Sequence, residues 1–185
     1  IISTGAQAKW LGLESETKYM GYGVSACATC DGFFYKDKKV TVVGGGNTAV
    51  EEALFLTNFA SEVTLIHRRN ELRAEKILQK KLFDHPKVKV IWDSEIKEIL
   101  GQDNPPSVES IIIKNVKTNN ETKLEADGVF IAIGHSPSSK IFNDKLNITE
   151  SGYIITEPDS TKTSSVGVFA AGDVVDTRYR QAITA

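Results

Sequence analysis

The run Lys39-Val40-Thr41-Val42-Val43-Gly44-Gly45-Gly46 constrains this chain more than any other segment. A short β-branched stretch without polar alternation fits a strand buried on both faces, and such strands belong to parallel sheets covered by other layers. Glycines end it, and Val50, Ala53, Leu54 and Phe59 then recur at helical spacing, so a helix is expected over 48–59 with Asn47 as its cap. A second apolar run, Val63-Thr64-Leu65-Ile66-His67, closes a βαβ unit of roughly 30 residues, whose crossover is almost always right-handed. Inside the unit, Gly44, Gly46 and Ala49 stand in the G-x-G-x-x-A pattern of a dinucleotide-binding turn. Gly44 permits the turn, Gly46 lets a pyrophosphate approach the backbone, and Ala49 keeps the helix close to the strand. The N-terminus at Asn47 and Thr48 supplies free N–H groups and partial positive charge. On the motif alone, a strand-to-helix turn that merely needs glycine is the competing reading.

The end of the second strand bears on which nucleotide is meant. NAD-binding folds place an acid there to bond the ribose 2′-hydroxyl. This chain instead reads His67-Arg68-Arg69, with Arg73 four residues on and within reach if the loop folds back. An acid would repel a 2′-phosphate, whereas guanidinium groups bind one through charge-assisted, often two-pronged hydrogen bonds. NADPH is therefore the expected cofactor, against the plain alternative of a solvated basic loop.

The rest of the chain reads as mixed α/β. A helix over 74–83 and a strand over 87–92 repeat the unit. Segments 95–100, 110–115 and 122–125, separated by turn-forming residues, suggest a small antiparallel meander. A buried strand over 128–133 ends at Gly134, where a domain boundary and a polar linker over 135–140 are expected. A strand over 166–171 then runs into Gly172-Asp173. The opening Ile1-Ile2-Ser3-Thr4-Gly5-Ala6 reads like the tail of a buried strand and the closing Arg180 to Ala185 like a first helical turn, so chain is expected on both sides. A length of 185 residues with 41% apolar composition suits one core plus part of another. A net charge of −2 without a basic tract argues against nucleic acid, and no apolar run approaches the ~20 residues of a membrane helix. A cytoplasmic protein is the expectation.

Cys27-Ala28-Thr29-Cys30 holds the only cysteines in the sequence. C-x-x-C spacing lets two sulfurs reach bonding distance, and one thiol in such motifs commonly has a lowered pKa, which supplies the thiolate for exchange. Zinc is the rival, but a closed structural site wants four ligands. There is no second C-x-x-C, and His67, His85 and His135 are scattered, so no metal is expected. Asp31 could exchange protons with the pair or simply solvate the loop.

Three segments taken in order, Ala26-Cys27-Ala28-Thr29-Cys30-Asp31-Gly32-Phe33-Phe34, Gly44-Gly45-Gly46-Asn47-Thr48-Ala49 and His67-Arg68-Arg69-Asn70-Glu71-Leu72-Arg73-Ala74, closely resemble the low-molecular-weight thioredoxin reductases. The resemblance runs from Ile1 to Ala185. It implies a flavoprotein of two Rossmann-type domains, an NADPH domain inserted in an FAD domain, which divides this chain into 1–8, 9–134 and 135–185. It implies that Cys30 is the thiol nearer the flavin, that Cys27 exchanges with thioredoxin, and that Asp31 is the acid-base group. By the same likeness Gly172 and Asp173 belong to a second FAD motif, Asp173 accepting from the ribityl chain. Arg180, Gln181 and Ala182 form a flavin-contacting turn, and Gly134 joins the cofactor-binding set. The family implies a homodimer whose domains swing, with hinges near Ala8 and Gly134. A first G-x-G-x-x-G for FAD is absent from this sequence, so the chain reads as a fragment that holds FAD weakly or not at all. Two alternatives remain at this point: a related flavoprotein serving a peroxidase or another carrier, and an isolated NADPH-binding module without turnover.

Overall fold

The computed structural model describes residues 1–177. In chain order its first elements are β1 (Ala6–Ala8), α1 (Glu14–Lys18), β2 (Val24–Ser25), α2 (Ala28–Asp31), β3 (Lys39–Val43), α3 (Asn47–Leu56) and β4 (Glu62–Ile66). They are followed by α4 (Lys76–Phe83), β5 (Val88–Ile91), β6 (Ser94–Asp103), β7 (Pro106–Asn115), β8 (Glu121–Glu125), β9 (Gly128–Ile131) and β10 (His135–Pro137). The chain divides into two compact units: Trp10–Ile133, and the flanking segments Ile1–Lys9 with Gly134 onward.

The unit from Trp10 to Ile133 is built on a five-stranded sheet in the order β2-β9-β3-β4-β5, every pair parallel. Val40, Thr41, Val42 and Val43 are all buried, as a run without polar alternation requires of a central strand. Strand alternation sends their side chains to two different cores. Val40 and Val42 join Leu65, Phe130 and the α3 residues Ala49, Val50, Ala53 and Leu56. Val43 joins Ile66, Val129 and Ile131 against Ile96, Ile99, Ile111 and Ile113. The second core therefore lies between the parallel sheet and the antiparallel meander β6-β7-β8, which occupies the face where further helices cover many parallel sheets. Leu65 and Phe130 are wholly buried, and truncating either to Ala would cost about 2–5 kcal/mol.

Several boundaries differ from the sequence reading, each for a local reason. Gly46, not Asn47, is the N-cap of α3, and Asn47 is its first helical residue. The helix ends at Leu56, not 59, because Thr57 and Asn58 turn their side chains back onto the carbonyls of Leu54 and Phe55. Helix α4 begins at Lys76, since Glu75 before it is extended (ψ 142°). The residues Asn104-Pro105, read as part of a breaker, are the tip of one long β6-β7 hairpin.

In the other unit, β1 pairs antiparallel with β10, so the segment read as a polar linker over 135–140 begins as a strand. Ala8 is paired with His135 inside that ladder, and the chain passes between the units at Lys9–Trp10 and Ile133–Gly134. The strand expected over 166–171 does not form. Its residues make only the isolated bridges Lys162↔Phe169 and Ile2↔Ala170, because Gly167 turns the chain at φ +77° and Thr163 bonds Val168 through both backbone and hydroxyl. Ile2, Leu146, Ile154, Ala170 and Val174 form this unit's own small core.

Candidate functional site

The glycine turn between β3 and α3 divides its work among three residues. Gly44 has φ +153°, and a Cβ there would lie 2.3 Å from the Ala132 carbonyl oxygen and 2.7 Å from the Ala49 Cβ. Close seating of α3 on the sheet thus depends on the Gly44–Ala49 pair. Around Gly46 a Cβ would meet nothing within 4 Å, so open space lies at the start of α3, where first-turn N–H groups have no carbonyl ahead of them. Gly45, to which the motif assigns no role, is the tightest: a Cβ would stand 2.2 Å from the His67 ring.

The basic loop after β4 is tied back over this turn. The Arg73 N–H donates to the Gly45 carbonyl at 2.7 Å, and the Glu75 N–H donates to Asn47 Oδ1 at 2.8 Å. Asn47 Nδ2 donates in return to the Glu75 carboxylate at 3.3 Å. Arg68, Arg69 and Arg73 are all exposed on that loop. His67 is buried beneath the turn, with Nε2 lacking a hydrogen-bond partner among the described residues. Burial lowers its pKa, opposed by a hydrogen bond to the Glu71 backbone and assisted by the charges of Arg73, Arg69 and Arg68, so the imidazole is neutral near pH 7. An open helix start under an exposed arginine loop fits a phosphorylated dinucleotide.

Cys27 and Cys30 form a disulfide, with Cα atoms 5.3 Å apart. Cys27 is the N-cap of α2 and half-buried, whereas Cys30, in its first turn, is exposed. Ser25 Oγ accepts the Cys27 N–H at 3.0 Å, and the Cys30 N–H reaches Cys27 Sγ at 3.2 Å. A sulfur that accepts a backbone N–H at a helix start is placed to carry negative charge once the bond opens. Asp31 follows directly and borders a cleft of about 520 Å³ with Tyr22, Phe34, Tyr35 and Asp127. Burial raises the Tyr35 pKa, and the charges of Asp31 and Asp127 add to the effect. Phe33 and Phe34 each remain 69% exposed beside the disulfide.

The sequence reading passed over Glu52. This α3 residue accepts the backbone N–H of Ala28, and its second oxygen is buried without a hydrogen-bond partner among the described residues. Burial, opposed by that N–H, pushes its pKa up to about 7. The available signal was periodicity: Glu52 lies three residues after Ala49 and four before Leu56, both fully buried.

In the other unit, Gly172 turns the chain at φ +79° and the following Asp173 has its Oδ1 buried without a hydrogen-bond partner among the described residues. An orphaned buried acceptor suits a ligand hydroxyl, which is what a flavin ribityl chain would present. Gly134 sits at φ +106° in open space. Arg180, Gln181 and Ala182 lie outside the described residues. Among the described residues no His, Cys, Asp and Glu cluster is arranged for a metal, and no helix is long and apolar enough to cross a membrane.

The sequence profile of the pyridine nucleotide-disulphide oxidoreductases matches residues 1–185. The chain belongs to the pyridine nucleotide-disulphide oxidoreductase family. Within that family it is 58% identical over 185 residues to a protein named thioredoxin reductase from Rickettsia typhi, covering 100% of this chain and 60% of the relative. The thioredoxin reductase of Coxiella burnetii is 56% identical over 192 residues, covering 100% and 59%. Among solved structures, thioredoxin reductase from Streptococcus pyogenes superposes with a TM-score of 0.87 at 47% identity, over 99% of this chain and 59% of that one. The enzyme from Giardia duodenalis does so with 0.89 at 41% identity, over 100% and 60%. This oxidoreductase chain spans about 60% of the length of the relatives it matches.

Proposed function

We propose that the whole protein is an NADPH-dependent flavoprotein that reduces the disulfide of thioredoxin through Cys27 and Cys30. One observation carries the reading: the disulfide caps α2 on the same unit, Trp10–Ile133, that holds the glycine turn under its arginine loop. The names of the relatives support thioredoxin as the partner over a peroxidase or another carrier. The family resemblance extends the proposal to a cytoplasmic homodimer.

On this reading, the open space at Gly46 and the first turn of α3 receive the NADPH pyrophosphate, and Arg68, Arg69 and Arg73 hold its 2′-phosphate. His67 contributes from below, by seating the turn. Asp173 accepts a hydroxyl of FAD, with Gly134, Gly172, Arg180, Gln181 and Ala182 as further contacts on that side. FAD, when bound, supplies a two-electron relay between a nicotinamide and a disulfide. The chain's own work is thiol exchange. The Cys27 thiolate attacks the partner's disulfide, forming a mixed disulfide and releasing one partner thiolate. Cys30 then attacks Cys27 Sγ, releasing the second partner thiol and restoring the Cys27–Cys30 bond. Asp31 gives and takes the proton that accompanies each thiolate.

The test is Cys30→Ser in the full-length protein. Flavin reduction by NADPH persists and turnover of thioredoxin disulfide is lost. Turnover that survives the substitution overturns the assignment.

A further inference from the structure

The exchange chemistry above has no use for Glu52, yet this carboxyl sits against the redox turn. It projects from α3, which packs on α2, and it accepts the N–H of Ala28, the residue next to Cys27. Its Oε2 is buried and unpartnered among the described residues. A buried carboxylate with one oxygen unsatisfied gains more from a proton than one in water does. The elements packed against α3 carry Asp31 on α2, Lys39 on β3, Glu62 on β4 and the lysines of α4. None of these charges is among the causes of its raised pKa, which are burial and, in opposition, the Ala28 N–H. Its protonation therefore answers to the redox turn and to desolvation.

We propose that Glu52 is a positioning residue of the redox turn that takes up a proton when the Cys27–Cys30 disulfide is reduced and returns it when the disulfide re-forms. The inference rests on the reading that this pair is redox-active. Two electrons, from a dithiol reagent or from the reduced flavin, break the S–S bond. One proton from solvent converts one sulfur to a thiol, and the other sulfur remains a thiolate. Cys27 Sγ already accepts the Cys30 N–H, which favours the charge there. That new negative charge stands one residue from the N–H on which Glu52 rests, and a like charge added beside a desolvated carboxylate disfavours its ionised form. A second proton from solvent therefore goes to Glu52. Re-formation of the disulfide expels both protons with the electron pair.

The experiment uses the full-length flavoprotein, equilibrated with dithiothreitol redox buffers across pH. Differential alkylation of the peptide bearing Cys27 and Cys30 reads the reduced fraction and so the protons taken up per pair of electrons. Above pH 7 the wild type takes up more protons than Glu52→Gln, which keeps an acceptor for the Ala28 N–H. Well below pH 7, where Glu52 is protonated in both redox states, the two converge. Superimposable pH dependences overturn the proposal. Should Glu52→Gln fail to fold, the reduced-minus-oxidised infrared difference spectrum of the wild type and of Asp31→Asn decides. A protonated-carboxyl band gained on reduction above pH 7 in both proteins supports it, and absence of the band overturns it. A pair that dithiothreitol cannot open at any pH sinks the redox reading together with the Glu52 role. Reversible opening with no excess proton uptake sinks the Glu52 role alone.

Discussion

The backbone N–H of Arg73 donates to the carbonyl of Gly45 at 2.7 Å, which folds the arginine loop onto the glycine turn. The paired contact between Asn47 and Glu75 closes the same loop from its far side. Asn47→Ala removes both hydrogen bonds to Glu75 while leaving the Arg73–Gly45 bond. A loss of about 0.5–1.5 kcal/mol per net hydrogen bond is expected in denaturant unfolding. In the full-length enzyme the KM for NADPH rises while kcat holds. An unchanged KM would show that the loop keeps its place without this tie.

On the proposed reading, Arg68 and Arg69 set the choice between the two nicotinamide dinucleotides. Hydrogen bonds to charged groups are worth about 1.5–3 kcal/mol, so replacing either by Ala raises the NADPH KM roughly ten- to a hundredfold. The NADH KM stays where it was, because that ligand has no 2′-phosphate. Steady-state kinetics with both dinucleotides check this, and an equal loss for the two would reject a 2′-phosphate site.

Gly45 and His67 form a packing pair. Gly45→Ala drives a methyl into the imidazole, at a built distance of 2.2 Å, and overpacking of this kind costs about 1–3 kcal/mol. His67→Ala alone leaves a cavity. In a double-mutant cycle the combined variant is more stable than the two losses added together predict, since each change relieves the other. Strict additivity would mean that the ring and the turn do not share space.

Glu52 makes stability depend on pH. Its folded pKa of about 7 lies above the ordinary 4.5, so the unfolded chain ionises first as pH rises. The contribution is fully present below pH 4.5 and is lost as pH climbs through 7. Glu52→Gln is then more stable than the wild type above pH 7, by up to about 3 kcal/mol at 1.36 kcal/mol per pKa unit, and the gap closes on acidification. His67 has the opposite sense. With its pKa depressed below 6.5, it contributes stability present above 6.5 and lost as pH falls below it. Unfolding curves of wild type, Glu52→Gln and His67→Ala across pH separate the two. A pH-independent gap between wild type and Glu52→Gln would contradict the Glu52 assignment.

What the amino-acid sequence determined by itself is whatever depends on neighbours in the chain. The βαβ unit is legible because Val40 to Val43 and Val63 to Ile66 lack polar alternation and glycines separate the first run from a helical pattern. The C-x-x-C pair, the G-x-G-x-x-A turn and the arginines are legible because their spacing is itself the signal. Tertiary structure decided everything that depends on two distant segments meeting. Gly45 looks idle until His67, just past the end of the next strand, arrives beneath it. Asn47 looks like a helix cap until Glu75 offers it a better partner. The 166–171 run has strand composition, but Gly167 and Thr163 give its backbone other hydrogen bonds. Glu52, one of two adjacent glutamates on α3, becomes a buried acid only when α2 lays the Ala28 N–H against it. The physical reason is common to all four cases: local propensity is worth tenths of a kcal/mol per residue, whereas burial and hydrogen-bond satisfaction are worth whole ones and are set by packing.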